Sequence, residues 1–177
     1  NLDKDGLLWL TSADNRIYRV SFTPNQFRVI PLPDGDKSGV KAICQLKNGD
    51  VLVGARSKNV YLLDMQGRVK QVFDYAHHQI GSIYHAMYDD RQNLWLSTKG
   101  DGLVKLTPDA SRPIGYRIEH YRHDARNPYS ISGNNVYMTY QDSRHRIWVA
   151  TLDGGLNLLE EQGGKVRFYN KYHGMKN

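Results

Sequence analysis

The 177-residue chain is 40% hydrophobic and 24% charged, a globular balance, and it is long enough for one ordinary domain with a sizeable core. Twelve tyrosines lean toward strands, and no apolar run approaches the ~18 residues that a membrane helix needs. The net charge of +6 is spread along the chain, with its densest local groups, such as Arg144-His145-Arg146, in predicted turns, so nucleic acid is not an expected partner. Cys44 is the single cysteine, which excludes an intrachain disulfide and leaves the redox compartment open. The opening "NLDKDGLLWL" carries no signal peptide and starts on a motif, as a cut fragment would.

Four segments align without gaps: "LLWLTSADNRIYRV" from Leu7, "DVLVGARSKNVYLL" from Asp50, "NLWLSTKGDGLVKL" from Asn93 and "RIWVATLDGGLNLL" from Arg146. Their anchors Trp9, Leu52, Trp95 and Trp148 are spaced 43, 43 and 53 residues apart. Eight residues after each anchor stands an apolar residue (Ile17, Val60, Leu103, Leu156), and six before it stand Asp3, Leu46, Asp89 and Asp142. Each unit reads as four short strands with alternating apolar positions. The first is "VKAICQ", "SIYHAMY" or "NVYMTYQ"; the second carries the anchor; a tight turn such as "TKGDG" or "TLDGG" leads to the third; the fourth is "FRVIPL", "VKQVFDY", "YRIEHYR" or "KVRFYNK". Glycine suits such turns because it takes positive φ without steric cost.

A period near 40–45 residues with four strands per unit is the signature of a β-propeller. The expected fold is therefore all-β: one propeller segment over 1–177, with repeat units at 1–35, 36–78, 79–131 and 132–177. The first unit lacks its innermost strand, so the chain is expected to be an arc of a larger, seven-bladed ring. The tryptophans are expected between blades as packing residues, and Asp89 is expected to cap a turn rather than pair with Asp90 for acid–base chemistry.

"NPYSISGNNVYMTYQDSRHRIWVATLDGGLNLLEEQGGKVRFYNKY" resembles the two-component regulator propeller repeat. The matching residues are Ser130, Ile131, Ser132, Asn134 and Val136, then Asp142, Ile147 and Trp148, then Thr151 to Leu156, then Phe168-Tyr169. The second unit departs most, with Leu52 for the tryptophan and Arg56-Ser57-Lys58-Asn59 for the glycine turn. The resemblance implies the extracytoplasmic, periplasmic sensor part of a Bacteroidetes-type hybrid histidine kinase, which detects polysaccharide fragments and switches on genes for their use. The kinase itself lies outside this chain, so the segment is expected to have no enzymatic activity. Implied partners are a carbohydrate, acidic where cations take part, the remaining blades and downstream domains of a longer chain, and a second copy in a homodimer. The membrane would be reached only through the longer chain.

Two rival readings stand beside the sensor: a sialidase- or lyase-like enzyme, and a protein-interaction propeller that uses its blade edges. The sialidase Asp-box is poorly met, since "DKDGLLW" places Asp3 one residue too far from Gly6. There is no G-x-S-x-G, Walker loop or zinc-type spacing. His77-His78, read as strand neighbours, would point to opposite faces, so no metal or other cofactor is expected. A ligand is expected on the face shared by the loops entering the first strands and the turns between second and third strands. Sugar recognition needs aromatic faces, planar hydrogen-bonding groups and, for acidic sugars, cations. Tyr84, His85, Asn135, Tyr137, Arg56 and Lys58 are the candidate ligand-binding residues, whereas Ser130, Ser132 and Asn134 read as shaping a loop. Asn59 is expected to take the left-handed conformation that closes the second unit's turn.

Overall fold

The computed structural model describes residues 8–11, 17–20 and 29–174, in two compact units, Asn1–Pro31 and Leu32–Asn177. In the first unit, β1 (Leu8–Thr11) and β2 (Ile17–Val20) pair antiparallel, with Leu10 opposite Tyr18. The expectations placed on Asp3, on the Trp9 side chain and on residues 27–28 lie outside what is described. Of the expected outer strand "FRVIPL", the described part 29–32 carries no strand. Pro31 lacks the N–H that a sheet ladder uses.

The second unit holds three four-stranded antiparallel sheets, each one propeller blade with its strands in sequential order. The second blade is β3 (Val40–Gln45), β4 (Val51–Ala55), β5 (Val60–Leu63) and β6 (Val69–Phe73). The third is β7 (Ile83–Tyr88), β8 (Leu94–Thr98), β9 (Leu103–Pro108) and β10 (Tyr116–Tyr121). The fourth is β11 (Val136–Gln141), β12 (Ile147–Thr151), β13 (Gly155–Gln162) and β14 (Lys165–Tyr169). Below, the upper end of a blade is the end at which its first strand begins.

Apolar residues on the facing sides of successive blades make the core. Leu52, Val60, Leu62 and Phe73 of the second blade pack against Ile83, Leu94, Leu96, Val104 and Leu106 of the third. Trp95 and Leu103 of the third pack against Val136, Ile147, Val149, Leu159 and Phe168 of the fourth. Trp95 is thus the inter-blade packing residue that the repeat implies, 2% exposed. Its indole N–H donates to Asp89 Oδ2 at 2.7 Å, and Asp89 also accepts from the N–H groups of Arg91 and Asn93 across the lower turn. Trp148 repeats the arrangement with Asp142 at 2.8 Å, where the indole N–H and then Arg146 hold the carboxyl well below the usual carboxylate range. In the second blade both partners change together: Leu46 replaces the aspartate and Leu52 the tryptophan, and both are buried.

Two local features depart from the sequence reading. The fourth strand of the second unit stops at Phe73, and Tyr75–His78 form a single helical turn, α1, capped by Asp74, which accepts from the His77 N–H at 2.7 Å. His77 and His78 therefore do not sit on a strand: the carboxylate cap offers the backbone a helical alternative. The ten extra residues before the last anchor build the loop from His123 to Asn135. Tyr129 O accepts from Phe168 N at 2.9 Å, Ile131 is buried in the third–fourth blade core, and the Tyr129 ring stacks on His173 at 4.7 Å.

Candidate functional site at the upper end of the inner strands

Each inner strand carries a register shift at the same place: between Val40 and Ala42, between Ile83 and His85, and between Val136 and Met138. A β-bulge leaves one residue unpaired and re-aims its side chain. The three bulged residues are Lys41, Tyr84 and Tyr137, and they meet across the blades. The Lys41 ammonium lies over the Tyr84 ring, 4.5 Å from its centroid. Tyr84 and Tyr137 stack with centroids 4.8 Å apart and planes 3° from parallel. Lys41 comes from the blade before Tyr84 and Tyr137 from the blade after it, so they occupy its two faces. Tyr137 is 47% exposed and supplies the accessible aromatic surface.

Around this column the loops and turns are tied together as expected of one shared face. Arg56 N donates to Gly39 O at 3.0 Å, Lys99 N to Ser82 O at 2.9 Å, Gly100 N and Gly102 N to Asn134 O at 3.1 and 2.9 Å, and Leu152 N to Asn135 O at 2.9 Å. Ser130, Ser132 and Asn134 shape the loop: the Ser130 hydroxyl donates to Asp124 O, the Ser132 hydroxyl bonds Thr151, and Asn134 Oδ1 accepts from His123 N.

The six candidate residues divide into two groups. Tyr84, Tyr137, Asn135 and His85 come together at the third–fourth blade junction. His85 Nδ1 accepts from Thr139 N at 3.5 Å, and burial holds its imidazole below its ordinary range, so it is a neutral acceptor at pH 7. Arg56 and Lys58 stand apart on the second blade, and no contact joins them to the tyrosine pair among the described residues. The Lys58 ammonium lies 4.5 Å from the centroid of the Tyr75 ring. The left-handed position of that turn is Lys58 itself, at φ 68, and not Asn59. Ala55 N bonds Asn59 O at 2.9 Å, which returns Asn59 to the strand pairing and moves the turn's positive φ one residue earlier. Lys41 is the member that residue-by-residue reading missed. The repeat itself carries the signal, since Lys41, Tyr84 and Tyr137 each stand eleven residues before their anchor.

One carboxylate orders the second blade's upper loop. Asp36 is held down to about 2 by the hydroxyls of Ser38 and Ser57 and by the Ser38 N–H. A carboxylate whose folded pKa is depressed adds stability above its ordinary pKa near 3.8 and loses it as pH falls toward about 2. Thermal melts of wild type and Asp36→Asn should therefore differ at pH 5–7 and converge between pH ~4 and ~2. A gap that stays constant through that window would remove Asp36 from the loop's stabilisation.

Ser130 to Asp153, the stretch holding this loop, the inner strand and the Trp148 strand, decides the family resemblance. Residues 130–153 match the two component regulator propeller family. No curated protein matches the chain. Among solved structures, the chain is similar to the extracellular domain of a B. thetaiotaomicron protein described as a hybrid two component system, at 24% identity and TM-score 0.61, over 87% of this chain and 21% of that one. A second such extracellular domain from B. thetaiotaomicron matches at 16% identity and TM-score 0.56, over 99% of this chain and 29% of that one. A virginiamycin B lyase from Staphylococcus aureus shares the fold at 14% identity and TM-score 0.54, over 96% of this chain and 54% of that one. The chain thus spans about a fifth of the length of the first of these relatives. No helix among the described residues is long and apolar enough to cross a membrane.

Proposed function

We propose that this chain is a ligand-sensing, extracytoplasmic β-propeller segment of a hybrid two-component sensor, which recognises an oligosaccharide released from a polysaccharide and has no catalytic activity of its own. The observation that carries this reading is the repeat match over residues 130–153, set beside the fold shared with the two B. thetaiotaomicron extracellular domains. The column at the upper end suits the ligand. Tyr137 offers an open ring face for the C–H side of a sugar, and Asn135 enters the same strand two residues earlier. Behind Tyr137, Tyr84 and Lys41 fix its ring, which lowers the ordering cost of binding. Signal output would pass through the rest of the longer chain to genes for carbohydrate use.

The test uses the complete extracytoplasmic region and a panel of neutral and acidic oligosaccharides, followed by calorimetry and by product analysis. Binding without turnover is expected, and Tyr137→Ala should weaken it by about tenfold or more, the scale of one good aromatic contact. Arg56→Ala/Lys58→Ala should weaken an acidic glycan by roughly 10- to 100-fold if its anion meets these cations. The melting temperature should fall only slightly, because alanine keeps the same backbone at position 58 and loses a surface cation–π contact of about 0.5–1 kcal/mol. Product release from any glycan would replace the sensor with an enzyme. Unchanged affinity in Tyr137→Ala would move the ligand away from this column.

A further inference from the structure

The seam between the second and third blades and the seam between the third and fourth are built from equivalent residues, yet their lower ends differ. In the third–fourth seam the lower end is latched. Gln141 Nε2 donates to Asp90 Oδ1 at 2.6 Å, and Asp90 N donates to Gln141 Oε1 at 3.0 Å. His145 pairs with the same carboxylate, and Lys105 pairs with Glu161 at 3.2 Å. Only about 100 Å3 remains open there.

At the equivalent positions of the second–third seam, the latch residues are all replaced. Lys47 stands for Asp90, Tyr88 for Gln141, Gln92 for His145, Leu62 for Lys105 and Pro108 for Glu161. None of the latch bonds can form, and a groove of about 380 Å3 lies open. That falls within the ~300–1,000 Å3 of small-ligand sites. Its walls include Tyr88 and Tyr116, whose hydroxyls have no hydrogen-bond partner among the described residues. The side chains of Gln92 and Lys47 at its mouth are likewise unengaged. No carboxylate is among its lining residues, and the nearby buried Asp50 is paired with Lys70 at 2.6 Å and bonded by Asn48 at 2.8 Å.

From this geometry we infer that the lower second–third seam is a second ligand site, separate from the upper column, and that it takes a hydroxylated, non-aromatic ring such as a pyranose. Two phenol walls match a ring with C–H faces. Two free hydroxyls, a carboxamide and an ammonium match outward hydroxyl groups, which both donate and accept. The groove belongs to the junction of two rigid sheets, so it is formed before a ligand arrives.

The experiment transplants the latch. In the complete extracytoplasmic region, Lys47→Asp, Tyr88→Gln and Gln92→His together rebuild the Asp90–Gln141–His145 part of the closure found in the neighbouring seam. Methyl glycosides of glucose, galactose and mannose, with the matching uronic acids, are titrated by ligand-observed NMR. At least one neutral glycoside should bind wild type with a Kd of about 1 mM or tighter. The latched variant should keep its cooperative melt and lose that binding by tenfold or more. Gln92→Ala, an exposed change that spares the core, should lose about threefold to tenfold. Repeating the titrations in a Tyr137→Ala background removes the upper column's contribution, so the loss on latching is read for the groove alone. Full binding in the latched variant, or binding by none of the glycosides, overturns the site. Tighter binding of the uronic acids alone overturns the assignment to a neutral ring.

Discussion

Trp95→Ala should destabilise the protein by about 3–5 kcal/mol, the cost of emptying a buried aromatic site. At this chain length that corresponds to a melting temperature lower by roughly 6–20 °C. The side chain fills the seam between the third and fourth blades, and its N–H is one of the donors satisfying the buried Asp89 carboxylate. Trp95→Leu keeps part of the volume and leaves that carboxylate short of a donor, which adds a polar penalty to the packing loss. The second blade has already solved this problem with Leu46 and Leu52. Asp89→Leu/Trp95→Leu copies that pair into the third blade, and its destabilisation should fall short of the sum of the two single changes by about 0.5–3 kcal/mol. Strict additivity of the two changes in a double-mutant cycle would show that the buried indole–carboxylate bond carries no coupling.

The repeat made the blades legible because its anchors answer to one physical demand, the burial of both faces of each sheet. Trp95 could be placed between blades from spacing alone, since period and burial coincide. Asp89 was legible in part, since a carboxylate beside a tight turn can serve the turn's N–H groups; its bond to the indole, and the same pairing at Asp142, appear only in the structure. Helix α1 was not legible, because one capped turn of four residues has no period to detect. The extra length before Trp148 was visible as a number, but not its bond to β14 at Phe168 or the burial of its Ile131, which depend on long-range contacts. At the candidate site, Tyr84, Asn135 and Tyr137 were selected by their chemistry, while Lys41 was passed over because lysine looks like any solvated charge. Only the bulge, which recurs at one register position per blade, places its ammonium on the Tyr84 ring. The open lower seam was equally hidden: Lys47, Tyr88 and Gln92 signal nothing singly, and acquire meaning only against Asp90, Gln141 and His145.

The turn glycines divide by the same kind of reasoning, and Gly102→Ala should be among the most damaging single substitutions in the chain. Gly102 sits at φ 81, where an L side chain costs about 1–2 kcal/mol before any contact is counted. An added Cβ would also stand 2.2 Å from the backbone oxygen of Tyr121, which no rotamer change can move. The strands must part, and the bonds that Gly102 makes are lost with them: its N–H to Asn134 O, and its carbonyl from Thr98 N and Thr98 Oγ1. A loss of about 4 kcal/mol or more is expected. Gly100 provides the control. It has an equally positive φ of 92, but nothing lies within 4 Å of its added Cβ. Gly100→Ala should therefore cost only the conformational term of about 1–2 kcal/mol. Gly154 makes the complementary point, because its φ is not positive and its smallness is required by the Ser132 hydroxyl 2.2 Å from an added Cβ. Melting temperatures of the first two variants decide the matter. Equal losses would mean that backbone strain alone governs the turn and that the packing of Gly102 against β10 contributes nothing.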